Sequence, residues 1–295
     1  MKIGIVANTT KPALSETLND LLAYLKKKKL QVVCTQTLYE WVKKRFDKKL
    51  LATIEHVTDK EFVKQSDIII AFGGDGTMLS TARLVGKSGK PLLGVNLGKL
   101  GFLAEVSIDE THQCIDEIIK GNYLIEERMI LEATCVTDGT KFYALNEIVV
   151  DKGASPRVIE LETYVNDDYM VTYSADGIIL NTPTGSTAYS LASGGPIVNP
   201  MSNVITINPV APHTLSARPV IVPDTSIIKV NVKADGKKAH ITADGQVEQF
   251  FETPAQFIIR RAEYTIKLIK RKKRTYYDLL RTKLQWGKDI RTARS

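Results

Sequence analysis

The sequence predicts an α/β protein of two domains: an open layer of parallel strands and helices, then an all-β, sandwich-like domain, with the C-terminal tail returning to the first. Three observations carry this. Over residues 1–126, short apolar runs alternate with stretches of helical period. Beyond that point apolar residues recur at every second position, with turn signals between the runs. Near the end, "TYYDLLRTKLQWGKD" goes back to a helical period. These changes of period set the boundaries at 1–126 plus 271–295 for the Rossmann-like α/β domain, and 127–270 for the β-rich one.

Taken in order, "KIGIVAN" is a first strand. "LSETLNDLLAYL" sets Leu14, Leu18, Leu21, Leu22 and Leu25 on one helical face. "LQVVCT" is a second strand, and a basic helix is expected near Glu40 to Ala52. "SDIIIAF" is continuously apolar, as a strand buried on both faces of a parallel sheet must be. "TMLSTARLV" is helical, "PLLGVN" a strand, and "DETHQCIDEIIKG" an amphipathic helix stopped by Gly121. In the second domain "VIELETYV" alternates Ile159, Leu161, Thr163 and Val165 against Glu160, Glu162 and Tyr164. "SIIKVNVKA", "KKAHITADGQVEQF", "QFIIRRA" and "YTIKLIK" continue in the same style.

Bulk properties narrow the function classes. The 295 residues suit one large or two ordinary domains. With 43% hydrophobic and 25% charged residues, the composition is that of a soluble globular protein. No apolar run approaches the roughly 20 residues of a membrane span, and "MKIGIVANTT" has no signal-peptide pattern. Cytoplasmic residence and no membrane partner are expected. Cys34, Cys114 and Cys135 are far apart with no CxxC pair, which points to neither a disulfide framework nor a thiolate zinc site. His56, His112, His213 and His240 show no ligand spacing; only His213, in "APHTLSARP", stands in unusual company. The net charge of +7 gathers in "KKKK" (Lys26–Lys29), "KKRFDKK" (Lys43–Lys49) and "KRKKR" (Lys270–Arg274). These runs lack the aromatic interleaving of a nucleic-acid reader and read as solvated helix ends and loops. A basic surface still favours the arrival of an anionic small substrate.

"GGDGT" lies where a parallel strand ends, the edge at which open α/β sheets bind ligands. Gly73, Gly74 and Gly76 let main-chain N–H groups approach phosphate oxygens with no Cβ in the way, and Thr77 completes the expected phosphate loop. Neither GxxxxGK[ST] nor an acid-followed GxGxxG is present. An acid inside such a loop, Asp75, would repel phosphate unless a metal intervened or the acid faced a hydroxyl. The second arrangement is phosphoryl transfer, with the carboxylate accepting the proton of the attacking alcohol. A carboxylate is a weak base for an alcohol, but the loose transition state lets the proton leave late.

Three further stretches hold polar groups in promising places. "ALNEIVVDKG" puts Asn146 and Glu147 at the start of an apolar strand, where unpaired polar groups would be costly. An amide can read a purine edge and a carboxylate can accept from both ribose hydroxyls; a β-bulge or hairpin corner is the structural alternative. "SADGIILNTPTGSTAYSLASGGPIVNP" sets Asp176 and Gly177 before a buried strand and then a short helix from Thr187 to Ser193. Its N-terminus offers N–H groups and hydroxyls to an anion or sugar. "TADGQVEQ", with Asp244, Gly245 and Gln246, reads as a hairpin turn.

Together these residues resemble the bacterial NAD kinases. The resemblance runs through "FGGDGTML", "GVNLGKLGFLAE", "LNEIVVDKG", "DGIILNTPTGSTAYSLASGGPIV", "APHTLSARPVIVP" and "YYDLLRTKLQWG", in this order along almost the whole chain. It implies a transferase that moves the γ-phosphoryl of ATP to the 2′-hydroxyl of the adenosine ribose of NAD, giving NADP. Asp75 would accept the proton, with Gly76 at the dinucleotide. Asn146 and Glu147 would bind the adenosine portion and Asp176 a nicotinamide-side group. Thr187, Ala188, Tyr189, Ser190, Leu191 and Ala192 would line the dinucleotide pocket, and Arg157, Ala211 and Gln246 occupy positions the family also uses. The resemblance further implies Mg²⁺ with ATP, polyphosphate as a donor for some members, and self-association into dimers or tetramers. Two departures stand out. Ser174 occupies a place where many members carry a basic residue, which bears on the choice between NAD and NADH. Ala192 replaces a serine and removes one hydroxyl. A diacylglycerol-type lipid kinase shares the glycine loop but carries a different signature after it, where this chain has "GVNLGKLGFLAE". A non-catalytic dinucleotide sensor would share the scaffold.

Overall fold

The computed structural model describes residues 1–234, 238–272 and 275–286. Residues 235–237, 273–274 and 287–295, on which parts of the expected hairpin, basic run and tail fall, lie outside the described residues. The chain forms two compact units: Met1–Glu126 with the chain from Ile266 onward, and Glu127–Thr265.

The first unit runs β1 (Lys2–Ala7), α1 (Leu14–Lys27), β2 (Gln31–Thr35), α2 (Gln36–Lys43), α3 (Lys48–Leu51), β3 (Ile54–Val57), α4 (Asp59–Gln65), β4 (Ile68–Gly73), α5 (Asp75–Val85), β5 (Leu92–Asn96), β6 (Val106–Ser107) and α6 (Thr111–Ile119). Its strands are parallel in the order β3-β2-β1-β4-β5, with β6 beside β5. The leucine stripe foreseen on α1 is buried in full and meets Ile3, Ile5, Ile70 and Phe72 of the sheet. All six residues of β4 are buried, as its unbroken apolar run requires.

Three local expectations need correction. The basic helix near Glu40–Ala52 is broken in two, because the Asp47 side chain accepts a hydrogen bond from Leu50 N (2.7 Å) and starts α3 afresh. The edge strand β3 and helix α4 were not foreseen. β3 is only four residues long with Glu55 and His56 exposed, and α4 is set by a Thr58–Glu61 capping box more than by an apolar stripe. α5 begins at Asp75 rather than Thr77, so the acid and Gly76 belong to the first helical turn.

The second unit contains most of β7 (Leu124–Cys135), β8 (Lys141–Ala144), β9 (Glu147–Asp151), β10 (Ile159–Val165), β11 (Asp168–Ala175), β12 (Gly177–Asn181), α7 (Tyr189–Ala192), β13 (Val204–Val210), β14 (Val220–Pro223), β15 (Ile228–Lys233), β16 (Lys238–Ala243), β17 (Val247–Glu252) and most of β18 (Ala255–Lys270). One antiparallel sheet is ordered β14-β13-β12-β9-β16-β17; the other runs β11-β10-β15-β18, with β7 on β18 and β8 on β7. Their facing sides share one core that includes Ile148, Leu180, Ile207 and Ile241 from the first sheet and Leu161, Val230 and Phe257 from the second. This is the expected sandwich. "QFIIRRA" and "YTIKLIK" prove to be one strand, β18, whose far end pairs in parallel with β5 at Leu268–Leu92. The tail helix α8 (Tyr276–Leu284) belongs to the first unit, where Lys283 Nζ donates to Leu100 O at 2.5 Å.

Candidate active site

In the first unit the strand order reverses direction between β1 and β4, and β4 delivers Asp75 to that switch point. The helix N-terminus beneath it favours negative charge. The Asp75 carboxylate is fixed further by the loop after β5. Oδ2 accepts from Phe102 N (2.9 Å), and Oδ1 accepts from Leu103 N (2.9 Å) and Ala104 N (3.1 Å). A carboxylate offers about four acceptor positions. Three are engaged here, which leaves one, on Oδ2, for a hydroxyl. The loop comes this close because residue 101 is glycine: a Cβ there would lie 2.0 Å from Asp75 Oδ1. "GVNLGKLGFLAE" is therefore the cradle of the acid, a role its sequence did not announce.

Of the expected phosphate loop, Gly73 closes β4, Gly74 is the N-cap of α5, and Gly76 and Thr77 lie in its first turn, with Thr77 N bonded to Gly74 O (3.0 Å).

In the second unit, Asn146 and Glu147 open β9 as anticipated, and both are buried. Their backbone is gripped by Asp244, whose carboxylate accepts from Leu145 N (3.0 Å), Asn146 N (2.7 Å) and Glu147 N (3.3 Å). Asp244 thus does more than turn a hairpin; it holds a buried, left-handed backbone position (φ 54°) to place that carboxylate. Across from it, Thr182 N and Oγ1 bond Asn146 O (2.9 Å) and Leu145 O (2.6 Å). Gly185 lies so close over Asn146 that a Cβ would sit 2.2 Å from its carbonyl oxygen. Burial, and then the negative charge of Asp244, push the Glu147 carboxyl up to about 8. Its Oε2 has no hydrogen-bond partner.

The other expected residues are distributed more widely. Asp176 precedes β12 and is ion-paired with Lys152 (2.7 Å), which reaches it from the end of β9. Asp176, Tyr189 and Val210 border an open cavity of about 470 Å³, together with Asp151, His240 and Phe250. The imidazole of His240 stacks on Phe250 and meets Asp151 Oδ1 at 3.1 Å. The stretch foreseen as a helix from Thr187 is a 3₁₀ turn at Thr184–Thr187 and then the single turn α7. The Ser186 hydroxyl before it is buried, donating to Pro183 O and accepting from Val198 N. Ser190 is buried and held by Asn208 (3.1 Å to its carbonyl), while Thr187, Ala188 and Leu191 are half-buried and Ala192 exposed. Arg157, Ala211 and Gln246 are exposed, Ala211 in a left-handed conformation (φ 45°). His213 is a backbone partner of Ser174, with an exposed side chain. The three cysteines are free and buried; burial pushes Cys34 up to about 12 and Cys114 up to about 11. No three His, Cys, Asp or Glu side chains converge as a metal cage among the described residues, and no helix among them is long and apolar enough to cross a membrane.

A carboxylate held by backbone N–H groups at the switch point of a parallel layer fits the class of nucleotide-using phosphotransferases. Comparison with known proteins narrows the class. Residues 3–123 match the ATP-NAD kinase N-terminal domain and residues 145–271 the ATP-NAD kinase C-terminal domain. The chain is 40% identical to the NAD kinase of Bacteroides fragilis over 293 residues, covering 99% of this chain and all of that one. It is 38% identical to the NAD kinase of Heliobacterium modesticaldum over 292 residues, covering 97% and 99%. The fold superposes on a yeast NADH kinase complexed with NADH with a TM-score of 0.90 (24% identity, 98% of this chain, 89% of that one). It also superposes on an Archaeoglobus fulgidus NAD kinase in complex with ATP with a TM-score of 0.76 (23% identity, 97% and 99%). The chain belongs to the ATP-NAD kinase family.

Proposed function

We infer that this chain is an NAD kinase, transferring the γ-phosphoryl of ATP to the 2′-hydroxyl of the adenosine ribose of NAD. The observation that carries the mechanism is the Asp75 carboxylate, immobilised by three backbone N–H groups with one acceptor position left on Oδ2. In this reading the 2′-hydroxyl donates to that position. Its oxygen forms a bond to the γ-phosphorus as the bond from γ-phosphorus to the β,γ-bridging oxygen breaks, ADP departs, and the proton passes to Asp75. Immobilisation supports rate because an acid already oriented needs no rearrangement during the transfer.

Glu147 suits a binding role: it is a buried acid with an unpartnered oxygen, which ribose hydroxyls would satisfy. Asn146, beside it, is assigned to the adenine edge, and Asp176 with Thr187 to Ala192 to the rest of the dinucleotide. Gly76, Arg157, Ala211 and Gln246 are assigned supporting contacts. Mg²⁺ would supply charge neutralisation on the phosphates of ATP. Among the described residues no three His, Cys, Asp or Glu side chains converge as a cage for it, as suits an ion that arrives on the phosphates of the donor. Cytoplasmic residence and self-association into dimers or tetramers complete the reading.

One coupled assay tests it. NAD is offered with ATP, GTP or polyphosphate, with and without Mg²⁺, and NADP is measured. NADP formed from ATP supports the assignment. NAD bound without NADP from any donor would identify a sensor instead, and phosphorylation of dispersed diacylglycerol in place of NAD a lipid kinase.

A further inference from the structure

The loop that cradles Asp75 is gripped at both ends by the last part of the chain. At its far end, Glu105 directly follows Ala104, whose N–H is one of the three that hold the acid. The Glu105 carboxylate is ion-paired with Lys270 at the end of β18, and the two side chains are 14% and 8% exposed. Lysine is almost never buried unless paired, and removing one charge of a buried pair is far more damaging than losing an exposed one. At the near end, Lys283 of α8 donates to Leu100 O at 2.5 Å and stands over the ring of Phe102, 5.6 Å from its centroid. Phe102 N is the donor to Asp75 Oδ2. α8 is itself fixed: Thr275 and Asp278 form a capping box at its start, and Leu279 and Leu280 are buried.

Packing holds the loop only in part. Ala104 is pressed on Gly94 of β5, where a Cβ would come within 2.7 Å of its Cα. Leu103 and Glu105 on either side of it border a cavity of about 290 Å³, together with Arg271. A set of backbone N–H groups keeps a carboxylate in one orientation only while the backbone itself is kept in place. A displacement of about 1 Å in such a support can cost on the order of 10²-fold in rate. The two amino groups supply what packing leaves out, from 165 and 183 positions further along the chain.

We propose that Lys270 and Lys283 are positioning residues for Asp75. Lys270 acts through Glu105, and Lys283 through Leu100 and the ring of Phe102, so that the C-terminal segment sets the geometry of the acid by locking residues 101–104 between two anchors. This rests on the reading of Asp75 as the proton acceptor and adds what holds its cradle.

Amide hydrogen exchange and steady-state kinetics on the full chain test it together. Lys270→Met nearly keeps the length of the side chain and removes its charge. Exchange at Phe102, Leu103 and Ala104 should quicken about tenfold or more while the amides of β4 stay protected. With NAD as the varied substrate, kcat should fall about tenfold to a hundredfold and KM stay within about threefold, and Lys270→Arg should restore both exchange and kcat. Lys283→Ala changes an exposed side chain and carries the test by itself if Lys270→Met fails to fold. It should quicken exchange at Phe102 about threefold or more and lower kcat about twofold to fivefold. Unchanged exchange at residues 102–104 in the folded variants overturns the proposal. So does faster exchange spread evenly over the first unit, or a KM that rises as much as kcat falls. Asp75→Asn separates this from the reading beneath it. Turnover retained in that variant would remove Asp75 from the chemistry, whereas the exchange result decides by itself whether the two lysines hold the loop.

Discussion

Replacing Glu147 by glutamine should stabilise the second unit at neutral pH while it removes an acid from the binding surface. Burial, then the charge of Asp244, raise this carboxyl from 4.5 to about 8. In the unfolded chain the group titrates at its ordinary value, so between those pH values the folded chain holds a proton that the unfolded chain has lost. The stability gained from that tight proton binding is complete below the unfolded value and is lost as pH rises to about 8. At about 1.4 kcal/mol per pH unit, the loss amounts to about 3 kcal/mol at pH 7 and about 5 kcal/mol above pH 8. Glutamine is uncharged throughout and incurs none of it. At roughly 2–4 °C per kcal/mol, the variant should unfold some 6–12 °C above wild type at pH 7 and nearly with it at pH 5. Circular dichroism melts of the ligand-free chain at pH 5, 6, 7 and 8 measure this directly. A gap that stays constant across that range, or a variant less stable than wild type at pH 8, would refute the account of Glu147 as a neutral buried acid.

Three other outcomes are expected. Asp75→Asn should keep NAD affinity within about threefold while kcat falls about 10²–10⁴-fold, read by NAD titration beside steady-state kinetics; near-wild-type turnover would remove Asp75 from the chemistry. Gly101→Ala puts a Cβ 2.0 Å from Asp75 Oδ1. It should displace the acid or the 102–104 loop and lower kcat on the order of 10²-fold, and unchanged kcat would show that the cradle does not position the acid. Lys152→Ala leaves Asp176 without its ion pair. The added negative character should favour the cationic ring of NAD over the neutral ring of NADH, changing the ratio of kcat/KM values by up to about fivefold; an unchanged ratio would place Asp176 away from the nicotinamide.

Much of the fold was legible because its signals are local. The α1 leucines recur at helical spacing and are buried as read. The β4 run has no polar residue and is buried on both faces. The 159–165 strand alternates and buries its odd-numbered residues up to Thr163. Where the reading failed, a local signal was overruled or missing. One aspartate, Asp47, accepts one N–H and divides an apparently continuous basic helix. β3 shows little strand pattern of its own; pairing with β2 makes it a strand.

The candidate residues divide in the same way. The order of motifs along the chain marked Asp75, Asn146, Glu147 and Asp176 as chemically exposed choices, because an acid between glycines or at the mouth of an apolar strand is costly without a use. Composition and periodicity also determined a parallel layer and then a sandwich, since burying one face of each element leaves few other solutions. Only the tertiary structure decided what holds those acids. Asp75 meets N–H groups 27 to 29 positions further along the chain, and Asp244 meets N–H groups 97 to 99 positions before it. Asn181 comes to lie between Glu147 and Thr206 through strand register alone. Register is fixed by how two sheets pack their apolar faces together. That is a property of the whole core, and no short stretch of sequence encodes it.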